Sequence, residues 1–175
     1  MNTTLPTCII RHRRENLKKC SLRGLEGKED FVFFLYPDCV QTATLLPDLS
    51  RYVVLDLEGE ELSAKDSDCG LVLIDATWRL AGKMTKELHF LHHLPKRAIP
   101  QGFQTAYPRR QLDCKNPDAG LASIEALYIA HTIVKRDCSS LLDNYYWKEE
   151  FLQKNKSNLQ LIVASQKVMA IASTL

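Results

Sequence analysis

Short, continuous apolar runs separated by polar, turn-rich stretches fill the first half of the chain. Thr7-Cys8-Ile9-Ile10 is predicted to be a strand, and Phe31-Val32-Phe33-Phe34-Leu35 a buried one that Pro37 ends. Tyr52-Val53-Val54-Leu55 and Leu71-Val72-Leu73-Ile74 predict two more. Runs that are apolar throughout, rather than at alternate positions, suit a parallel sheet covered on both faces. Between the first two runs, Asn16 to Glu26 is predicted to be a helix, with Leu17, Leu22 and Leu25 as its apolar positions and Gly27 as its stop. From Thr77 onward the pattern becomes helical. Leu80, Met84, Leu88 and Leu91 recur at helical spacing over Trp78 to Leu91, and Leu121, Ile124, Leu127, Tyr128 and His131 trace one face of a second helix. Further helices are expected from Ser140 to Gln153 and from Leu159 to about Ser173. The pattern predicts an α/β fold, with a mostly parallel sheet lobe over residues 1–91 and a mainly helical lobe over 92–175.

The polar segment from Pro95 to Ala119 is long for a compact domain and contains Pro100, Pro108 and Pro117. Connections of that length usually serve as lids or binding loops. This one leads into the helix at Leu121, whose first N–H groups are available to a ligand.

Composition narrows the function classes. Hydrophobic residues are 45% of the chain, enough for a real core, yet no apolar run approaches the roughly 20 residues that span a bilayer. The first residues lack the basic and apolar regions of a signal peptide, so a cytoplasmic location and no membrane association are expected. The six cysteines are scattered without a Cys-x-x-Cys pair, so free thiols and no metal site are expected. Charge is uneven. Residues 11–28 hold Arg11, Arg13, Arg14, Lys18, Lys19, Arg23 and Lys28 against Glu15 and Glu26, a net of +5. Residues 96–115 hold Lys96, Arg97, Arg109, Arg110 and Lys115 against Asp113, a net of +4. If the two segments meet, they form an anion-binding face on an otherwise acidic body; if not, they are two solvated loops.

Four segments carry candidate chemistry. Ile74-Asp75-Ala76-Thr77-Trp78 follows a buried strand, where ligands of open α/β sheets bind; Asp75 there is either a ligand group or a helix cap. Lys18-Lys19-Cys20-Ser21 offers cations and a hydroxyl. Leu62-Ser63-Ala64-Lys65-Asp66 has the spacing of a capping box, Ser63 to Asp66. Glu125, within Leu121-Ala122-Ser123-Ile124-Glu125-Ala126, is a carboxylate among apolar neighbours. It must be hydrogen-bonded, and accepting backbone N–H groups of the long loop would satisfy it. His89, His92 and His93 read as surface residues compensating a helix end.

In order along the chain, these segments resemble the S-adenosylmethionine-dependent aminocarboxypropyltransferase family of small-subunit ribosomal RNA, to which the DTW-domain group acting on transfer-RNA uridine is related. The resemblance spans about Ile10 to Asn155. Lys18-Lys19-Cys20-Ser21 matches a Lys-Lys-Cys-Thr/Ser segment, Leu62-Ser63-Ala64-Lys65-Asp66 a Leu-Ser-Pro-x-Asp segment, and Ile74-Asp75-Ala76-Thr77-Trp78 a Val-Asp-Cys-Ser-Trp strand end. Arg97-Ala98-Ile99-Pro100 matches Arg-x-Leu-Pro, Ala106-Tyr107-Pro108 is similar to Ala-Asn-Pro, and Leu121 to Ala126 matches Leu-Ser-x-x-Glu-Ala. Tyr146-Trp147-Lys148-Glu149-Glu150-Phe151-Leu152 resembles an aromatic-Trp-Gly-x-x-Phe-Leu segment. Asp-Ala-Thr-Trp lies between the ribosomal and DTW patterns, and Ala119 stands where an aromatic residue is usual. The lack of a paired-cysteine ribbon favours the ribosomal branch.

The resemblance implies a SPOUT-like, deeply knotted sheet lobe followed by a helical lobe, a monomer, and S-adenosyl-L-methionine as cofactor. Ser21, Ile74, Ile99, Ala119 and Ser123 would contact that cofactor, with Trp78 near its adenine; Asp75 or Asp66 would act as base. The implied reaction moves the aminocarboxypropyl group to a (pseudo)uridine of small-subunit ribosomal RNA or its precursor. A transfer-RNA uridine aminocarboxypropyltransferase, a SPOUT-type RNA methyltransferase and a non-catalytic RNA-binding module are the alternatives.

Overall fold

The computed structural model describes residues 4–41, 46–108 and 120–172. Five strands form one all-parallel sheet: β1 (Thr7–His12), β2 (Phe31–Tyr36), β3 (Tyr52–Glu61), β4 (Gly70–Asp75) and β5 (Lys96–Ala98). Their order is β2-β1-β4-β3-β5. The helices are α1 (Asp38–Gln41), α2 (Trp78–Glu87), α3 (Ser123–Ile133), α4 (Lys148–Lys154) and α5 (Lys156–Ala172). The expected α/β class and all four apolar strands are therefore present, but β2, expected to be buried, lies at a sheet edge and is mostly half-buried, with Leu35 50% exposed. β5 is the strand that sequence pattern misses. Lys96-Arg97-Ala98 has no apolar run because it lies at the sheet edge, where charged side chains can reach water; there Lys96 pairs with Asp56 at 2.7 Å and Arg97 with Glu60 at 3.6 Å.

Successive residues of a strand point to opposite faces, and here each face is covered. Ile9, Val53, Leu71 and Leu73 pack on one side with Ile124, Leu127 and Ile129 of α3 and Phe151 of α4. Cys8, Ile10, Val54 and Val72 pack on the other with Met84 of α2 and Leu88 just after it. The central strands are thus apolar at every position for the reason expected. α3 is buried on more than the predicted face, since Ile129, Ala130 and Ile133 are buried as well as Ile124, Leu127 and His131.

One expected helix is not a helix, and another, expected from Ser140, begins only at Lys148. Asn16 to Glu26 folds as consecutive tight turns, with Lys19 N–H on Asn16 O, Arg23 on Cys20, and Leu25 on Leu22. Gly24 sits at φ 89° and Gly27 at φ 82°, values that end a helix, and a Cβ at Gly24 would lie 2.2 Å from Asn144 Nδ2. Leu22 and Leu25 are buried, whereas Leu17 is 57% exposed, so the three leucines never shared a face. Residues 140–147 form the same kind of turns, Tyr145 N–H bonding Leu142 O and Lys148 bonding Tyr145, before α4 begins at Lys148. The two turn segments lie against each other, Lys28 Nζ donating to Ser140 O and Oγ at 3.3 and 3.0 Å.

At the amino end of the sheet, the His131 ring stacks on Phe31, with centroids 5.7 Å apart, and its Nε2 lies 3.0 Å from Thr7 Oγ1. No helix among the described residues is long and apolar enough to cross a membrane.

Two measurements probe this packing. A Cβ on Gly70 would fall 2.2 Å from the Tyr52 ring, so Gly70→Ala should destabilise the fold by about 2 kcal/mol, as overpacking does; a denaturant midpoint unchanged at constant slope would contradict this. Burial, reinforced by the charge of Arg136, lowers the His131 pKa from 6.5 to about 4. Between those values the unfolded chain binds the proton that the folded chain refuses, so stability rises with pH there. The wild-type unfolding free energy should fall as pH drops from 6.5 toward 4, and His131→Gln should flatten that slope.

Candidate functional site

The carboxyl ends of β1 and β4 bring together residues from four separate segments. Arg11 stands directly beside Asp75 in the strand register. Both are buried, and Arg11 Nε donates to Asp75 Oδ2 at 2.9 Å. A guanidinium so enclosed needs acceptors on its other nitrogens. Its remaining donors reach Glu26 Oε1 at 2.6 Å and Cys20 Sγ at 3.3 Å, and its carbon lies 4.6 Å above the Phe33 ring. Asp75 in turn accepts from Ser123 Oγ on Oδ1 at 2.9 Å and from Cys20 Sγ on Oδ2 at 3.5 Å. Ser21 closes the arrangement, its Oγ accepting the backbone N–H of Ile124 in the first turn of α3 at 3.3 Å.

Ser21, Asp75 and Ser123, picked out separately along the chain, therefore meet. Asp75 does not cap α2, as one reading of the sequence had it. It ends β4, and the cap position belongs to Thr77. Ile74 and Trp78 flank Asp75 and are half-buried. Asp66 belongs to a different group. It completes the predicted capping box, accepting Ser63 N–H at 3.0 Å, and pairs with Arg97 Nε at 2.9 Å. Arg97 leads through Ala98 into half-buried Ile99, so Asp66 and Ile99 mark the carboxyl end of the β3–β5 edge. Ala119, Arg109 and Arg110 lie outside the described residues. The described cations of the second basic segment, Lys96 and Arg97, are engaged in ion pairs along that edge.

Glu125 does what its surroundings demanded. Fully buried, it accepts the backbone N–H of Ala122 at 2.7 Å and of Ala106 at 2.8 Å, with Thr105 Oγ1 at 2.7 Å and Tyr145 Oη at 2.8 Å. It thereby fixes the start of the long loop to the first turn of α3, which holds Ser123 at the site. His92 places Nε2 2.8 Å from Thr85 O near the end of α2, in keeping with its reading as a residue serving a helix end.

Arg11, Glu15, Cys20 and Glu26 were legible only as charge or as a free thiol. The signal for Arg11 was its place: a cation directly continuing the apolar run Cys8-Ile9-Ile10. The charges here act on one another. Burial opposes ionisation of Arg11, but its hydrogen bonds to Glu26 and Asp75 outweigh that and raise its pKa. Burial likewise opposes the Glu26 carboxylate, and Arg11 with nearby backbone N–H groups overcomes it, lowering that pKa. Burial and the charge of Asp75 push the Cys20 thiol up to about 12, so it acts as a neutral hydrogen-bonding group. Half-buried Glu15 is raised by burial and by Asp75, which Arg11 offsets only in part. A separate concavity of about 420 Å³, lined by Leu46, Phe90, His93 and Pro95 among others, lies at the amino ends of β3 and β5, away from these groups.

No protein-family model matches the chain. No curated protein matches it. Among solved structures, the chain is similar to that of the SAM-dependent rRNA:acp-transferase Tsr3 from Vulcanisaeta distributa, with a TM-score of 0.68 and 20% identity. The likeness covers 93% of this chain and 85% of that one, and shows that the two share a fold.

Removing one member of the buried pair should be worse than removing both. Arg11→Met leaves Asp75 charged and unmatched and should cost about 3–5 kcal/mol, whereas Arg11→Met with Asp75→Leu should recover most of that loss. Equal denaturant midpoints for the single and double variants would contradict the pairing.

Proposed function

We propose that the chain transfers the 3-amino-3-carboxypropyl group of S-adenosyl-L-methionine to a ring nitrogen of a (pseudo)uridine in small-subunit ribosomal RNA or its precursor, a step of ribosome biogenesis. The observation that carries this reading is the convergence of Ser21, Asp75 and Ser123 at one sheet end. Those three come from separate segments that the resemblance had assigned to one cofactor site. The fold shared with a protein described as a SAM-dependent rRNA:acp-transferase supports it. The SPOUT-like knotted topology enters this reading by resemblance, alongside the all-parallel sheet of order β2-β1-β4-β3-β5. In this reading residues 1–91 supply the sheet end and residues 92–175 close over it.

The donor set fits the cofactor's charges. S-adenosylmethionine carries cations at its sulfonium and α-amino groups and an anion at its carboxylate. The negative charge of Asp75, Glu15 and Glu26 suits the former; for the latter there is the first turn of α3 with the hydroxyl proton of Ser21, since Ser123 already donates its own to Asp75. When bound, the cofactor supplies carbons made electrophilic by the sulfonium. The chain's task is to choose which carbon faces the nucleophile, a matter of positioning. Ser21 and Ser123 would hold the amino-acid end, Ile74 and Ile99 would line the pocket with backbone and apolar surface, and Trp78 would pack near the adenine. Ala119 enters this reading by resemblance alone.

The acceptor nitrogen must lose its proton as its bond to the γ-carbon forms and the carbon–sulfur bond breaks. Asp75 and Asp66 are the carboxylates first assigned to that role. Asp75 already accepts three hydrogen bonds and Asp66 is held by Arg97 and Ser63, so we assign both to positioning.

One incubation tests the reaction. With the purified chain and total RNA, label in the carboxypropyl arm should enter RNA of small-subunit size, and label in the methyl group should not. Methyl transfer would assign the methyltransferase reading, label in transfer RNA the transfer-RNA reading, and neither label a binding module.

A further inference from the structure

The proposed reaction leaves one cluster without a task. Tyr146 is 88% exposed, the most exposed of the large apolar side chains among the described residues. A ring so placed contributes almost nothing to the core. It is nonetheless held, meeting the half-buried Trp147 with ring centroids 5.1 Å apart at 75°. Trp147 is gripped in the same way by Tyr107 at 5.0 Å and by Tyr145 at 5.9 Å.

This cluster is tied to the site on one side and to the first basic segment on the other. Tyr145 Oη donates to Glu125, which also holds Thr105, and Thr105 Oγ1 accepts the backbone N–H of Tyr107 at 3.0 Å. Glu125 lies two residues beyond Ser123. On the opposite flank, Gly24 packs directly on Asn144, and Lys28 bonds Ser140. That contact sets Arg23 beside the aromatic segment, with Lys18 and Lys19 on the same turn segment. All three cations are exposed, and none pairs with an acidic side chain among the described residues.

Open aromatic faces beside unpaired cations form the combination that binds single-stranded nucleic acid: cations follow the phosphates and each base stacks on a ring. We infer that Tyr146, backed by Trp147 and Tyr107, is a stacking platform for a nucleobase of the RNA strand, beside the site centred on Asp75 and Ser123. The platform rests on the proposal that the substrate is RNA. It adds a role: it holds a base by its face, without reading its sequence, while Arg23, Lys18 and Lys19 hold the backbone. An exposed protein-docking tyrosine is the alternative that the test resolves.

The probe is a short fluorescein-labelled oligouridine, compared with an abasic oligomer of the same length. The wild-type chain should bind oligouridine the more tightly. Tyr146→Ala should weaken oligouridine binding about tenfold, in line with one lost stacked base, and should bring it level with the abasic oligomer. Tyr146→Phe should restore the difference. The salt dependence of Tyr146→Ala should match wild type, whereas Arg23→Ala should reduce it. Unchanged oligouridine affinity in Tyr146→Ala overturns the platform and leaves the tyrosine to a protein contact. Equal weakening toward both oligomers also overturns it. If the wild type binds neither oligomer and transfers no label to RNA, the RNA reading falls and the platform with it. Transfer by a wild type indifferent to bases removes the platform alone.

Discussion

The buried pair of Arg11 and Asp75 is the constraint around which the carboxyl end of the sheet is organised. Two charges placed 2.9 Å apart among apolar strands survive only if every remaining donor and acceptor finds a partner. Arg11 has donors beyond the one Asp75 takes, and they draw in Glu26 and Cys20 from the turns that follow β1. Asp75 has acceptor capacity beyond Arg11, and it draws in Ser123 from the far side of the chain. The electrostatic need of one pair thus recruits two further segments, the turns after β1 and the start of α3. The turns of residues 16–28 are what let Glu26 reach back to Arg11.

A second carboxylate repeats the logic one layer out. Glu125 joins α3, the start of the long loop and the segment before α4 through four hydrogen bonds. Ser123 is thereby held from both sides, by Asp75 through its hydroxyl and by Glu125 through the backbone next to it. The two carboxylates make the first turn of α3 a fixed platform rather than a fraying end. For the proposed reaction such fixed positions would matter, because displacement by an ångström changes which atom faces the nucleophile.

The sequence made the sheet legible because burial on both faces leaves an unambiguous signature in β1, β3 and β4, while β2 kept an apolar run although it lies half-buried at an edge. It hid β5 because an edge strand answers to water and to its ion pairs. It misrepresented 16–26 and 140–147 because leucines and polar residues in loose alternation do not distinguish a helix from a chain of tight turns; what decided the matter was the contact of Gly24 with Asn144, 120 residues away. Of the site, the residues carried on ordered motifs were legible, whereas Arg11 was not. Charge in a sequence is read as surface by default, and only the partner Asp75, supplied by a neighbouring strand, turns it into a buried group. Glu125 was legible for the opposite reason, since a carboxylate flanked by apolar residues must be satisfied wherever it goes.

The tight turns have a consequence for how the first basic segment can act. In a helix its cations would have been spread around the circumference, with part of their field directed at the core. As turns pinned by Leu22, Leu25 and the Glu26–Arg11 bond, the segment buries its leucines and leaves Lys18, Lys19 and Arg23 in water. The same Arg11 that anchors the site therefore helps set where those charges stand, and the contact between Gly24 and Asn144 brings their segment against the one that carries Tyr145, Tyr146 and Trp147. An anionic strand drawn to the cations by long-range attraction would arrive next to Ser21, one residue from Cys20 and its bond to Asp75. Attraction, stacking and chemistry would then share one physical support, the guanidinium buried at the end of β1.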